Sequence, residues 1–482
     1  EESGKLEQAI HVLAHMRSAP STAVYINLLK GCIREKSLSY ARHVYSHLVK
    51  HRSHPVCNGL LGDYVVEVFS TCGSLDEAYR VSQRLPRRSV FCWTSIISSY
   101  TNSGRVHEAL SLYREMKDEG IEPNHSTFAS LFKACGSIPH YEEGKKLHKL
   151  ALKRGFASDA FVGTALMNMY NKFGNISEAE SVFRDMSRRD IISWTTMLTL
   201  YVDNGHGKKA LQLFREMQVG CGSALLDDRV FVVSLQACGI LAEEEEALIV
   251  DGRSTKLMSL DITKALHADA CQKGYGSNVY VCTTLVNTYG KCGDVSLAEE
   301  VFNGLSERNI VSWNAIIAGY ARQGQSESVF DLFVEIIEKG IRPNHITFLG
   351  ALSACSHAGL VDVILYYFMA MESSHGFAPL ISHFNCMLDA FARAGQFNEA
   401  VLMIQKMPHQ PNLASWCSIL GACCKWGNVE LGRHAFECAS KLTKSNASLF
   451  IVMANIYTDA HMWEQLHIIE TALQSSMVLE HG

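Results

Sequence analysis

A period of 101 residues governs this chain. Trp93 and Trp194 lie 101 positions apart, and the stretches around them, "RRSVFCWTSIISSYTNSG" (87–104) and "RRDIISWTTMLTLYVDNG" (188–205), put apolar residues at the same places. A third copy, "ERNIVSWNAIIAGYARQG", occupies 307–324. Units of this size cannot bury their own apolar stripe, so neighbours must stack to complete a core. Three unit lengths alternate within the period: 90–124 has 35 residues, 125–159 has 35 and 160–190 has 31.

Each unit reads as two helices. In "WTSIISSYTNSG" the first carries apolar residues at helical spacing and stops at a glycine. The second, "HEALSLYREMKDEG", also ends on glycine, and "IEPN" makes the exit turn. Trp93, Trp194 and Trp313 are expected in the core between helices. So are Cys32, Cys135, Cys238 and Cys355, which recur at one place in "KGC", "KAC", "QAC" and "SAC", since a free cysteine packs as a small hydrophobe. From Trp194 to Trp313 the spacing grows to 119. Two surplus residues fall in "QVGCGSALLDD" and about sixteen between Cys238 and His267. An insertion at about 240–262 is therefore expected as an exposed turn between two helices, where added length costs little. Its run Glu243–Glu246 is expected to be a solvated face.

At 482 residues the chain exceeds one ordinary core. The expected fold is all-α: a right-handed α-solenoid superhelix of helix-turn-helix repeats. The opening "GKLEQAIHVLAHM" reads as the second helix of a partial repeat at 1–21, and no targeting segment is legible. Forty-four basic against forty-nine acidic side chains give a net charge of −5. That balance disfavours gripping phosphates by bulk charge and leaves room for a locally basic groove. No run approaches the roughly 18 apolar residues of a membrane helix. The sixteen cysteines include no CxxC spacing, so no metal is expected and a reducing compartment fits. There is no phosphate-binding GxxxxGK[ST] loop and no GxSxG elbow. No catalytic residue and no cofactor are expected.

The alternation of 35, 35 and 31 residues resembles the PLS subclass of pentatricopeptide repeat proteins. "SWNAIIAGYARQGQSESVFDLFVEIIEKGIRPN" resembles its P motif, "FASLFKACGSIPHYEEGKKLH" its L motif and "FVGTALMNMYNKFGNISEAESVF" its S motif. Units 22–344 form the array on this reading, 345–412 resemble the C-terminal L and S motifs, and 413–482 resemble two E motifs. Tetratricopeptide repeats would show a 34-residue unit without the Gly-x-x-Pro-Asp/Asn exit.

The resemblance implies single-stranded RNA binding, one base per repeat, read by position five of the first helix and the last residue of the unit. Carried onto this chain, Thr94 with Asn124 implies adenine, Thr164 with Asp190 guanine, Thr195 with Asp227 guanine, and Thr283 with Asn309 adenine. Asn314 with Asn344, and Asn385 with Asn412, imply a pyrimidine. Ala129, Val232 and Leu349 hold position five of the L motifs, where little selectivity is expected. Asp63 with Ser89 is an uncommon pair left without a base. Phe91, Phe161, Ile192, Tyr280 and Val311, at position two, are implied to stack on bases, although an apolar row at repeat spacing is also what a core produces.

The E motifs imply a factor that specifies a cytidine for C-to-U editing in a mitochondrial or chloroplast transcript. The implied target is A-N-G-G-N-A-Y-N-Y, three nucleotides, then the edited C. A DYW cytidine deaminase, as a further domain or a partner, would supply the chemistry. Zinc deaminases need an HxE with a paired CxxC, and the only HxE here is His140-Tyr-Glu142 in an ordinary turn. The chain is therefore not expected to be an enzyme by itself. Two other functions are compatible with helical repeats: a protein-binding scaffold, and a factor for RNA stability or splicing.

Overall fold

The computed structural model describes residues 2–16, 19–51, 59–138, 141–221, 226–250, 253–443 and 446–480. Those residues form 27 helices and one two-stranded hairpin. They divide into two compact units, Glu1–Leu226 and Asp227–Gly482.

Both units are all-α solenoid segments. In the first, the leading helices of successive repeats are Thr22–Glu35, Leu60–Thr71, Val90–Asn102, His125–Cys135, Ala160–Lys172 and Ile191–Asp203, each packed on the next. Each is also covered by the second helix of its own repeat, as Val106–Asp118 covers Val90–Asn102. Helix Glu2–His15 packs on the first two helices that follow it. The second unit repeats the scheme with leading helices Asp228–Glu244, Val279–Cys292, Ile310–Arg322, His345–Ala358, Ile381–Arg393, Leu413–Trp426 and Ala447–Asp459.

The side-chain pattern explains this division of labour. On Val90–Asn102, Cys92, Trp93, Ile96, Ile97 and Tyr100 are buried. These pairs, four residues apart, give a wide apolar band that two flanking helices can share. Position two falls outside the band: Phe91 is 44% exposed. Gly104, at φ 75°, takes the left-handed turn that ends the helix. Trp93 and Trp313 are wholly buried and Trp194 nearly so. The Trp93 ring lies under the Arg88 guanidinium at 4.5 Å, and its Nε1–H donates to Glu119 at 3.0 Å. Cys32, Cys135, Cys238 and Cys355 are completely buried, and burial pushes each thiol up to about 12.

The insertion is more ordered than an exposed turn. Helix Asp228–Glu244 runs on into its start, strands Leu248–Val250 and Arg253–Thr255 pair antiparallel, and helix Leu257–Gln272 begins directly afterwards. The Lys256 N–H donates to the Cys292 carbonyl at 2.9 Å, and Gln323 Nε2 donates to the Ser254 carbonyl at 3.2 Å. The acidic run is only partly the expected solvated face. Glu245 turns inward and accepts from the N–H groups of Met258 and Ser259, both at 2.9 Å, and so caps the next helix. Glu243 pairs with Lys291 at 2.7 Å. The first N–H groups of a helix lack intrahelical partners, and this segment supplies one from its own Glu245 carboxylate.

Candidate nucleic-acid interface

The last residue of a unit is also the N-cap of the next leading helix. Asn124, Asp190, Asp227, Asn309, Asn344 and Asn412 all have extended backbone there. In each, one side-chain oxygen accepts the N–H three residues on: Thr127 at 2.9 Å, Ser193 at 2.8 Å, Val230 at 2.9 Å, Ser312 at 3.0 Å, Thr347 at 3.1 Å and Ser415 at 3.0 Å. Helix initiation therefore fixes which atom faces inward. An Asn must turn its carbonyl oxygen to the helix and leave its NH2 outward, whereas an Asp leaves a second oxygen. The choice between Asn and Asp thus sets whether the outer edge donates or accepts.

In three repeats this cap is tied to position five of the preceding leading helix. Asn314 Nδ2 donates to Asn344 Oδ1 at 3.1 Å, and Asn385 Nδ2 to Asn412 Oδ1 at 3.3 Å. A third side chain that the sequence reading missed closes each link. Thr347 Oγ1 donates to Asn314 Oδ1 at 2.7 Å, and Ser415 Oγ to Asn385 Oδ1 at 2.6 Å. In the third case Thr127 Oγ1 lies 2.7 Å from Thr94 Oγ1 and 2.9 Å from Asn124 Oδ1. Thr94 itself donates to the Val90 carbonyl at 2.8 Å, which leaves its oxygen as an acceptor.

The 31-residue units 160–190 and 279–309 differ. Ser193 and Ser312 return their hydroxyls to their own cap carbonyls, Asp190 and Asn309, both at 2.8 Å. The Thr283 hydroxyl is buried without a partner, and no link joins Thr164 to Asp190 among the described contacts. Thr195 belongs to the first compact unit and Asp227 to the second. Thr195 donates to the Ile191 carbonyl at 2.7 Å, and Asp227 caps its own helix. At the uncommon pair, Ser89 accepts the Cys92 N–H at 3.0 Å and bonds Asp63, whose carboxyl is raised above its usual range by burial. Ala129 is buried; Val232 and Leu349 are half-buried.

The position-two residues are not core. Phe161, Ile192, Tyr280 and Val311 are 58%, 63%, 74% and 59% exposed, alongside Phe91. A basic residue recurs thirteen positions into leading helices, at Lys172, Lys291, Arg322, Arg393 and Lys425. Among the described residues no cluster of three His, Cys, Asp or Glu side chains is arranged to hold a metal; His140 lies outside the described residues.

Comparison with known proteins agrees with this architecture. The profile of the PPR repeat family matches residues 88–137 and 308–357, and that of the PPR repeat matches 164–191, 192–220, 280–310, 382–410 and 414–438. The chloroplastic pentatricopeptide repeat-containing protein CRR2 of Arabidopsis thaliana is 33% identical over 475 residues, 98% of this chain and 69% of the relative. A mitochondrial pentatricopeptide repeat-containing protein of the same plant is 32% identical over 464 residues, 91% of this chain and 49% of the relative. The chain thus spans about half to two-thirds of the lengths of these relatives. The crystal structure of the pentatricopeptide repeat protein PPR10 from maize aligns over 98% of this chain and 87% of that one, at 16% identity and a TM-score of 0.44. With a third of its residues shared with CRR2 along nearly its whole length, the chain belongs to the pentatricopeptide repeat family.

Proposed function

We propose that this chain binds single-stranded RNA and reads one base per repeat through position five and the N-cap that follows it. The observation that carries this reading is the forced orientation of the caps. At Asn314/Asn344 both amide oxygens are engaged inward, so the outer edge offers N–H donors only. Such an edge suits the O2 and N3 acceptors of cytosine or the carbonyls of uracil. At Thr94/Asn124 the Thr oxygen accepts and the Asn NH2 donates, which matches N6–H and N1 of adenine. Asp190 and Asp227 keep a free carboxylate oxygen for the N1–H and N2–H donors of guanine. Position two then supplies the stacking faces at Phe91, Phe161, Ile192, Tyr280 and Val311, each aromatic contact contributing roughly 1–3 kcal/mol. At position thirteen Lys172, Arg322 and Lys425 give local positive charge near the phosphates despite the net −5, whereas Lys291 and Arg393 are paired with Glu243 and Asp389.

The array on this reading is of the PLS type, and its last two helix pairs are E motifs that specify a cytidine for C-to-U editing in a chloroplast or mitochondrial transcript. Cys417 and Ile451 hold position five there and offer a base edge little to bond. Trp463 and Ile468 are exposed on the final pair, which suits contact with a DYW-type deaminase. The names of the relatives, one chloroplastic and one mitochondrial, support the compartment.

Fluorescence anisotropy with the A-N-G-G-N-A-Y-N-Y RNA tests base reading. Changing both G positions to A should weaken binding by roughly 1–3 kcal/mol per misread base, and Asp190→Asn with Asp227→Asn should restore it. Binding indifferent to sequence would end the base reading and favour a protein scaffold. In organelles lacking the protein, the cytidine four nucleotides beyond the last Y should stay unconverted. Full conversion with lost transcript or lost splicing would move the function to RNA stability or splicing.

A further inference from the structure

We infer that the hydroxyls of Thr127, Thr347 and Ser415, three residues past their caps, are positioning residues that orient the base-reading pairs, and that the equivalent Ser193 and Ser312 are not. The inference rests on the base reading proposed above and adds a third member to the pair in three repeats only.

The chemistry is clearest at Asn314. This side chain is 6% exposed, so its amide oxygen must be bonded by protein. The Thr347 hydroxyl provides that bond at 2.7 Å, while the Asn314 NH2 donates to Asn344 Oδ1. The same oxygen of Asn344 also takes the N–H groups of Ile346 and Thr347, at 3.0 and 3.1 Å. Asn344 Oδ1 is therefore saturated from within, and Asn314 Oδ1 is held inward by Thr347. The outward groups are one N–H of Asn314 and the NH2 of Asn344. Rotating the Asn314 amide by half a turn would set its oxygen against that of Asn344 and leave the Thr347 proton only the longer bond to Asn344 Oδ1, at 3.2 Å, so the hydroxyl holds the Asn314 oxygen inward and its N–H outward. Ser415 does the same for Asn385 and Asn412, with Asn385 Oδ1 at 2.6 Å and Asn412 Oδ1 at 3.0 Å.

At Thr94/Asn124 the outcome differs because the partner is a hydroxyl. Thr94 gives its proton to the Val90 carbonyl, so its oxygen can only accept. The single proton of Thr127 is divided between that oxygen and Asn124 Oδ1. The pair is linked, with one acceptor and one NH2 facing outward.

Ser193 and Ser312 stand at the same spacing from their caps, yet donate to the carbonyls of Asp190 and Asn309. Their hydroxyls never reach Thr164 or Thr283. The spacing is shared and the connection is not, which makes them internal controls.

The test uses the full chain and RNAs varied one base at a time opposite each repeat. Thr347→Val is nearly isosteric and keeps the backbone N–H that the cap needs. It should reduce discrimination between pyrimidine and purine opposite Asn314/Asn344 by about tenfold, the size of one buried hydrogen bond, and Thr347→Ser should restore it. Ser415→Ala should act likewise at Asn385/Asn412. Ser193→Ala and Ser312→Ala should leave discrimination at their repeats unchanged. Circular dichroism melting of each variant separates a folding defect from a reading defect. If wild type shows no base preference opposite these repeats, the base reading itself fails. If wild type discriminates and Thr347→Val does so equally, or if Ser312→Ala loses as much as Thr347→Val, the positioning role is overturned alone.

Discussion

A single side chain here serves two masters, the helix it starts and the edge it shows. Asn124 accepts the N–H of Thr127 and also bonds its hydroxyl. Asn124→Ala should therefore lower stability by about 1 kcal/mol, while Asn124→Gly should cost only a few tenths. A urea titration of the two variants reads the difference, and equal losses would show that the cap contributes little. Reading bases is the role proposed for position five and the last residue, and their recurrence was legible in the sequence because it runs at fixed offsets in the repeat. The role of Thr127, Thr347 and Ser415 was not. "NHST", "NHIT" and "NLAS" share a cap-x-x-hydroxyl spacing with "DIIS" and "NIVS", and only packing against the preceding helix decides which way the hydroxyl turns. The exposure of position two was equally ambiguous, since a repeated apolar row describes a core and a stacking platform alike.

Between helices, a recurring bond joins the second helix of one repeat to the leading helix of the next. His148 Nδ1 lies 2.8 Å from the Tyr170 hydroxyl, and His267 Nδ1 lies 3.0 Å from that of Tyr289. Burial lowers both imidazoles below their ordinary 6.5, while Glu178 and Asp185 beside His148 and Glu300 beside His267 pull weakly the other way. The folded state thus prefers neutral rings, and below 6.5 the unfolded chain binds more protons. Stability should rise with pH up to about 6.5 and fall as acid is added below it. Melting temperatures between pH 7.5 and 5.5 should show that fall, and His148→Gln with His267→Gln should flatten it. Helix order and boundaries were largely readable from glycine stops and polar caps. The hairpin was not read, although Leu248–Val250 and Arg253–Thr255 flank an Asp-Gly dipeptide in the sequence, a recognised turn signal. The acidic run beside it drew attention to solvent instead.

Over the whole chain, the 101-residue period located its own interruption, and counting alone placed about sixteen surplus residues between Cys238 and His267. Counting could not show that the surplus grips its neighbours. Within the second unit the hairpin is fastened to two further leading helices, at Cys292 and Gln323. Gly293 sits at φ 91°, and a Cβ there would overlap the Ser254 carbonyl oxygen. Gly293→Ala should therefore destabilise by more than about 1 kcal/mol and speed amide exchange at Thr255 and Lys256. Unchanged exchange would mean that the hairpin does not depend on this seat. The caps have a different consequence for the molecule as a unit of inheritance. Asn and Asp start helices almost equally well, and their codons differ by one base. Under the proposed reading, a lineage can rewrite the nucleotide that such a chain selects while its fold barely registers the change. The array can follow a drifting target one letter at a time, with no unstable ancestor in between.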